Sequence, residues 1–427
     1  MPLVAFSNLG CSKNQVDGSR MLRHVLSVGY TLTEDASRAD VIIVNTCAFI
    51  EAAKVEAITM ILEMVAFKKN GRCKKLVVCG CFSQRFRESA AGKFPEVDLW
   101  AGMDDWPELF ARHLKTGPRP SFVRELPAPR ATQYLKIAEG CSHGCTFCAI
   151  PLIRGKFRSC APAAILEEAK WLVGEGVLEC VVVAQDSSMY GKDRGTSLVL
   201  LLQELLANTP FPWIRVMYLH PSLVDDELLR LFAREPRLCP YFDIPLQHAA
   251  DTVLKAMGRH PLSKGIVALV ERIRAAVPDA AIRTAFIVGF PGETEEIFEE
   301  LLRFVETMKF DKAGVFPFSP EEGTTAFSMR PRPRNATVAR RCEALMSLQR
   351  EISASINQSR VGRIVDVIVD GKADQPGFTT MGRTRWDAPE VDGNVYMKTL
   401  KIPCGAIVPV RIHAAGDYDL YGEPETR

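Results

Sequence analysis

Apolar positions follow three different rhythms along the chain. Up to about residue 125, short apolar runs at 3–7, 41–44 and 76–78 read as buried strands, and helical patterns follow them. The segment 15–27 carries Val16, Met21, Leu22, Val25 and Leu26 on one face, and 51–67 carries Ala53, Ala57, Ile58, Ile61, Leu62 and Val65. Strands alternating with helices predict a parallel, Rossmann-like α/β sheet. From 131 to 355 the rhythm becomes strand-then-helix. Strand-like pieces at 134–138, 180–184, 214–219, 241–244, 282–288 and 314–318 alternate with helical patterns at 163–173, 197–207, 225–234, 250–257, 264–276 and 294–308. Six such pairs predict a partial (β/α) barrel with its chemistry at the carboxyl ends of the strands. After about 359 the pattern turns to strict alternation at 362–369, with an Asp370-Gly371 turn and further strands at 377–383, 393–397 and 406–412. That predicts a small antiparallel barrel of the OB kind. The expected units are therefore 1–125, 131–355 and 359–427, with proline-rich connections at 116–121 and 127–130.

Length supports this division, because 427 residues at about 150 per domain make roughly three. A net charge of +2 argues against a protein that coats nucleic acid through bulk charge, so any RNA contact must be local. No apolar run approaches the roughly 18 residues that span a bilayer, and the first residues lack a basic signal-peptide region. The expectation is a cytoplasmic protein without a membrane partner. Thirteen cysteines in a reducing compartment read as metal or cluster ligands sooner than as disulfides.

The cysteines are not scattered evenly. Cys141, Cys145 and Cys148 crowd the loop after the first strand of the central barrel, at its predicted mouth. Zinc in a structural site wants four ligands, and His143 is awkwardly placed between two of the thiols to be the fourth. Three thiolates suit a 4Fe–4S cluster that keeps one iron open for a small molecule. Phe147 can pack against a purine or anchor the loop in the core. A second set, Cys11, Cys47 and Cys81, follows the three N-terminal strands. Ligands of open parallel sheets bind beyond the carboxyl strand ends, and helix N-termini there favour an anionic cluster. The alternative is three small buried residues at tight strand exits. Cys79 and Cys73 read as non-ligands. Gln185, Asp186, Gln247 and His248 face the same barrel mouth, whereas Thr294 reads as a helix cap. In the C-terminal barrel Arg363, Arg383 and Arg385 stand against Asp387, Glu390 and Asp392, a balance that suits a protein-facing role at least as well as an RNA-facing one.

Several stretches together resemble the radical S-adenosylmethionine (SAM) methylthiotransferase family over essentially the whole chain. They are Gly-Cys-Ser-Lys-Asn at 10–14, Tyr-Leu-Lys-Ile-Ala-Glu-Gly-Cys at 134–141, Ile-Arg-Gly-Lys at 153–156, Asp-Ile-Pro-Leu-Gln-His at 243–248, Phe-Ser-Pro-Glu-Glu-Gly at 318–323 and Asp-Ala-Pro-Glu-Val-Asp-Gly at 387–393. The branch they resemble acts on an aspartate of ribosomal protein S12. The tRNA-modifying branch usually has Gln-Met where this chain has Ser12-Lys13. The resemblance implies two 4Fe–4S clusters: one on Cys141, Cys145 and Cys148 that binds and cleaves SAM, and an auxiliary one on Cys11, Cys47 and Cys81. It implies that Phe147 lies near the adenine, that Gln185 and the turn from Gly289 to Glu293 contact SAM, and that the C-terminal barrel is a TRAM domain able to touch RNA. It further implies S12, on the assembling small ribosomal subunit, as substrate and flavodoxin or ferredoxin as electron donor. One departure is Cys160, where the family often has arginine; it is read as incidental. The competing expectations are a methylthiotransferase for isopentenyladenosine of tRNA and a non-catalytic iron–sulfur RNA-binding or sensor protein.

Overall fold

The structure is a computed structural model that describes residues 1–117, 123–128, 130–398 and 402–425. Most of the connection at 116–121, and Pro129 of the second connection, lie outside the described residues. The N-terminal sheet is parallel throughout, in the order Thr31–Leu32, Leu3–Asn8, Val41–Thr46, Lys75–Gly80, Leu99–Ala101. Numbered along the chain this is 2-1-3-4-5, a doubly wound order that reverses direction between the first and third strands. Val41–Thr46 is buried along its whole length. Ile42 and Val44 pack with Ala57 and Ile61 of the helix Glu51–Asn70, while Val41 and Ile43 meet Met21 and Val25 of the helix Ser12–Leu26 on the other face. The sequence pattern misses both edge strands because they are two and three residues long, too short for a period to register.

The central region holds six parallel strands in two groups: Thr132–Lys136, Glu179–Val183 and Trp213–Val216, then Tyr241–Asp243, Ala281–Val288 and Lys312–Pro317. A bridge between Ile214 and Leu238, and the bond from Leu219 N–H to the Asp243 carbonyl, join the groups into one open barrel wall. All six expected strands and the six helices between them are present. One long helix, Asn335–Gln358, has no counterpart in the sequence reading. Its buried face mixes Leu345 and Ile352 with Arg341, Gln349, Ser353 and Asn357, so no apolar stripe marks it.

The C-terminal strands Ile364–Lys372, Thr380–Thr384, Val395–Met397, Ile407–Ala415 and Leu420–Pro424 close into a barrel. One of its pairings, Val395–Met397 with Leu420–Pro424, is parallel rather than antiparallel. Several of its mixed charges form a seam with the central barrel. Arg383 reaches Glu179 at 2.9 Å, Asp387 reaches Lys312 at 2.7 Å, and Asp392 accepts from the Tyr241 hydroxyl at 2.6 Å. Glu179 also pairs with Arg215 at 2.8 Å, and both side chains are completely buried. Mixed charge here reflects domain packing, which alternation in sequence does not disclose. Among the described residues no helix is long and apolar enough to cross a membrane.

Candidate active site

Cys141, Cys145 and Cys148 lie in an irregular loop just past the strand Ala138–Glu139, and each is half-buried. The chain enters through Gly140 at φ +76°, where a Cβ would come within 2.3 Å of the Lys156 carbonyl, so only glycine fits. The loop is pinned to the turn after Asp251–Ala256: Thr146 N–H donates to the Met257 carbonyl at 3.0 Å, and its hydroxyl to the Ala256 carbonyl at 2.8 Å. Arg259 follows that turn, is buried, and lies 3.7 Å from Cys145 Sγ. Burial pushes the Cys148 thiol up to about 12, with Arg259 acting against it. His143 is already engaged elsewhere. Its Nε2 is 2.5 Å from Asp186 Oδ2, and its ring stacks on His220 with centroids 4.0 Å apart.

The second set is assembled from three strand ends. Cys11 caps Ser12–Leu26, Cys47 follows Val41–Thr46, and Cys81 opens the helix Cys81–Ala90. Cys11 and Cys47 thus flank the point where the sheet order reverses. Gly10, at φ +88°, lets them approach, because a Cβ there would sit 2.7 Å from Cys47 Cβ. Burial opposes ionisation of Cys11, but Lys13 and Arg154 outweigh it and hold its pKa below the ordinary thiol value. Arg154 donates to Cys81 Sγ at 3.3 Å and to Asn14 Oδ1 at 3.1 Å, and pairs with Asp17 at 2.6 Å and Glu139 at 3.0 Å. Lys136 joins the same two carboxylates. Glu139 lies two residues before Cys141 and Arg154 six after Cys148. One buried guanidinium therefore bonds both the strand end at Cys81 and the entrance of the Cys141 loop.

Family models match three stretches: the Uncharacterized protein family UPF0004 over residues 3–102, the Radical SAM superfamily over 135–305 and the TRAM domain over 361–424. The chain is 41% identical over 441 residues to the ribosomal protein uS12 methylthiotransferase RimO of Desulforamulus reducens, covering 99% of each. It is 42% identical to the RimO of Symbiobacterium thermophilum, covering 98% of this chain and 90% of that one. The chain belongs to the uS12 methylthiotransferase family. Among solved structures, the radical S-adenosylmethionine methyltransferase TsrM from Kitasatospora setae, with cobalamin and a 4Fe–4S cluster bound, shares the fold at a TM-score of 0.54 and 14% identity, over 85% of this chain and 79% of that one.

For a methylthiotransferase the donor sets fit their clusters chemically. Each offers three thiols, which leave an iron of a 4Fe–4S cluster open, and each has a buried arginine beside it. Among the described residues no group of three or more His, Cys, Asp or Glu is arranged to hold a single metal ion. Gln185 lies at the barrel mouth; its Nε2 donates to Glu139 at 2.8 Å, and its Oε1 is buried without a hydrogen-bond partner among the described residues. Phe147 packs beside Ala250, Val253, Met257 and Phe290, so one side of it anchors the loop. Gly289 N–H donates to Glu293 Oε2 at 3.0 Å, and Glu293 Oε1 binds Arg341 at 2.6 Å, so both carboxylate oxygens brace the turn. Thr294 caps its helix by accepting from Ile297 N–H. His248 Nδ1 accepts from Ala250 N–H, which makes it part of its own turn. Cys79 is fully buried against Met21, Cys73 faces the Lys75 carbonyl, and Cys160 faces the Lys136 carbonyl. Lys13, Glu139, Arg154 and Arg259 were not singled out from the sequence as site residues. Their signal was faint: a charged residue within a few positions of a cysteine, or just past the helix at 250–257.

Proposed function

We propose that this enzyme adds a methylthio group to the β-carbon of an aspartate of ribosomal protein uS12. In this reading Cys141, Cys145 and Cys148 hold the SAM-binding 4Fe–4S cluster and Cys11, Cys47 and Cys81 hold the auxiliary one. When bound, these groups supply the one-electron chemistry that can open a C–H bond no side-chain base could ionise. The chain's own residues position and enclose. The Met257 and Ala256 carbonyls and Arg259 fix the loop. Arg154, Asp17 and Glu139 lock the two cysteine sets at one separation, because a buried guanidinium bonded to two carboxylates has little freedom to move. Gln185 Oε1, buried without a partner among the described residues, would offer an acceptor to SAM, with Phe147 and the Gly289–Glu293 turn as its further contacts.

The observation that supports the reading is the Arg154 bridge, which ties Cys81 to the entrance of the Cys141 loop. The units would be 1–125, 131–355 and 359–427. The enzyme would act in the cytoplasm on uS12 of the assembling small subunit, with an electron donor such as flavodoxin or ferredoxin and with RNA contact through the TRAM barrel. Mass spectrometry of uS12 and of bulk tRNA from a strain lacking the enzyme tests it. The expected result is uS12 without its methylthio group and tRNA unchanged; loss from tRNA alone would overturn the reading.

A further inference from the structure

Lys13 is a buried cation beside the Cys11 set that has no carboxylate partner among the described residues; its contacts are the Tyr218 side chain and the Cys11 thiol. Lys136 and Arg154 share Asp17 and Glu139, and Arg20 takes Glu168. Lys13 is 6% exposed, and among the described residues no carboxylate forms an ion pair with it. Its ammonium lies 3.3 Å from the centroid of the Tyr218 ring. A ring face returns only part of what an ammonium loses on leaving water, whereas a carboxylate returns much more. The nearby Asp243 is already engaged: it pairs with Arg283 at 2.9 Å and accepts from Tyr218 N–H at 3.1 Å.

Placement gives this charge a direction. Lys13 stands two residues after Cys11, on the N-terminal unit. Tyr218 stands two residues past Trp213–Val216, at the mouth of the central barrel. It is held in a left-handed conformation at φ +61°, a strained arrangement for a tyrosine that functional sites tolerate. Its carbonyl accepts from Ser187 N–H at 2.8 Å, next to Asp186, which binds His143 of the Cys141–Cys148 loop. The ammonium therefore sits where the Cys11 end of the N-terminal unit meets the mouth of the central barrel.

We propose that Lys13 binds the carboxylate of the substrate aspartate and so selects an acidic side chain for modification. This rests on the function proposed above. A neutral substrate such as an adenine base would offer the ammonium no carboxylate, so Lys13 acts as a specificity-determining residue.

The test uses the full chain loaded anaerobically with iron and sulfide. Binding of fluorescently labelled uS12 is compared with that of uS12 carrying asparagine in place of the modified aspartate. The native enzyme should prefer the aspartate form at least about ten-fold. Lys13→Met should erase that preference while its iron content stays at the native level, and Lys13→Arg should restore part of it. The proposal is overturned if Lys13→Met keeps the preference, or if it loses about half its iron, which would make Lys13 a support of the Cys11 cluster instead. A native enzyme that neither binds nor modifies uS12 would sink the function reading first, and the Lys13 proposal with it.

Discussion

The two three-cysteine sets are built by opposite means. Cys141, Cys145 and Cys148 fall within eight consecutive residues, and bonds from within the central unit, with Arg259, hold their loop. Cys11, Cys47 and Cys81 come from three strands and meet only because the whole sheet folds. Their charge balance also depends on another unit, since Arg154 and its partner Glu139 belong to the central barrel. A local site survives loosening of its surroundings; a dispersed one inherits every weakness of the seam. The auxiliary site should therefore be the more fragile of the two.

Replacing the two arginines exposes this difference most strongly. Arg154→Met leaves Asp17 and Glu139 short of a partner in a buried setting, which should cost about 3–5 kcal/mol. Thermal unfolding should show that loss, and iron should leave the N-terminal set first. Arg259→Met removes only a carbonyl contact and a long thiol contact, so roughly 1–3 kcal/mol is expected. Equal losses from the two variants would refute the asymmetry.

The seam to the C-terminal barrel offers a control remote from both sets. Burial would raise the Glu179 carboxyl, but Arg383 and Arg215 outweigh it and hold its pKa near about 2, below the ordinary 4.5. A depressed carboxylate stabilises the fold fully above its unfolded value and loses that contribution as pH falls through the folded one. Acid titration from 4.5 toward about 2 should thus weaken this seam, and Glu179→Gln should flatten that part of the profile. An unchanged profile would show that the pair contributes little. The smallest effect belongs to Thr294→Ala, about 1 kcal/mol from loss of the cap, measured by denaturant unfolding.

The same contrast explains what could be read from the chain. The Cys141 loop was legible because its spacing is local. The second set was legible only by joining strand ends through the rule for parallel sheets, since nothing in the spacing of Cys11, Cys47 and Cys81 links them. All six barrel strands could be read because apolar residues recur along each in a strand rhythm, even where, as in Lys312–Pro317, much of the strand is not buried. The helix Asn335–Gln358 could not, because four of the six residues on its buried face are polar. Arg154 and Lys13 fall within stretches that carry the resemblance, but their partners could not be read for a related reason. A charge beside a cysteine looks like a solvated residue until the other domain closes over it. Arg383, Asp387 and Asp392 are the converse case, because a seam between domains and a mixed-charge surface look alike in sequence.

Iron content of two triple variants tests the central claim most directly. One variant replaces Cys11, Cys47 and Cys81 with alanine, the other Cys141, Cys145 and Cys148, and each is reconstituted anaerobically beside the native chain. The account predicts about eight irons per native chain and about four in either variant, with 5′-deoxyadenosine formed from SAM by the first variant and not by the second. Full iron in either variant, or SAM cleavage that survives loss of the Cys141 set, would contradict it.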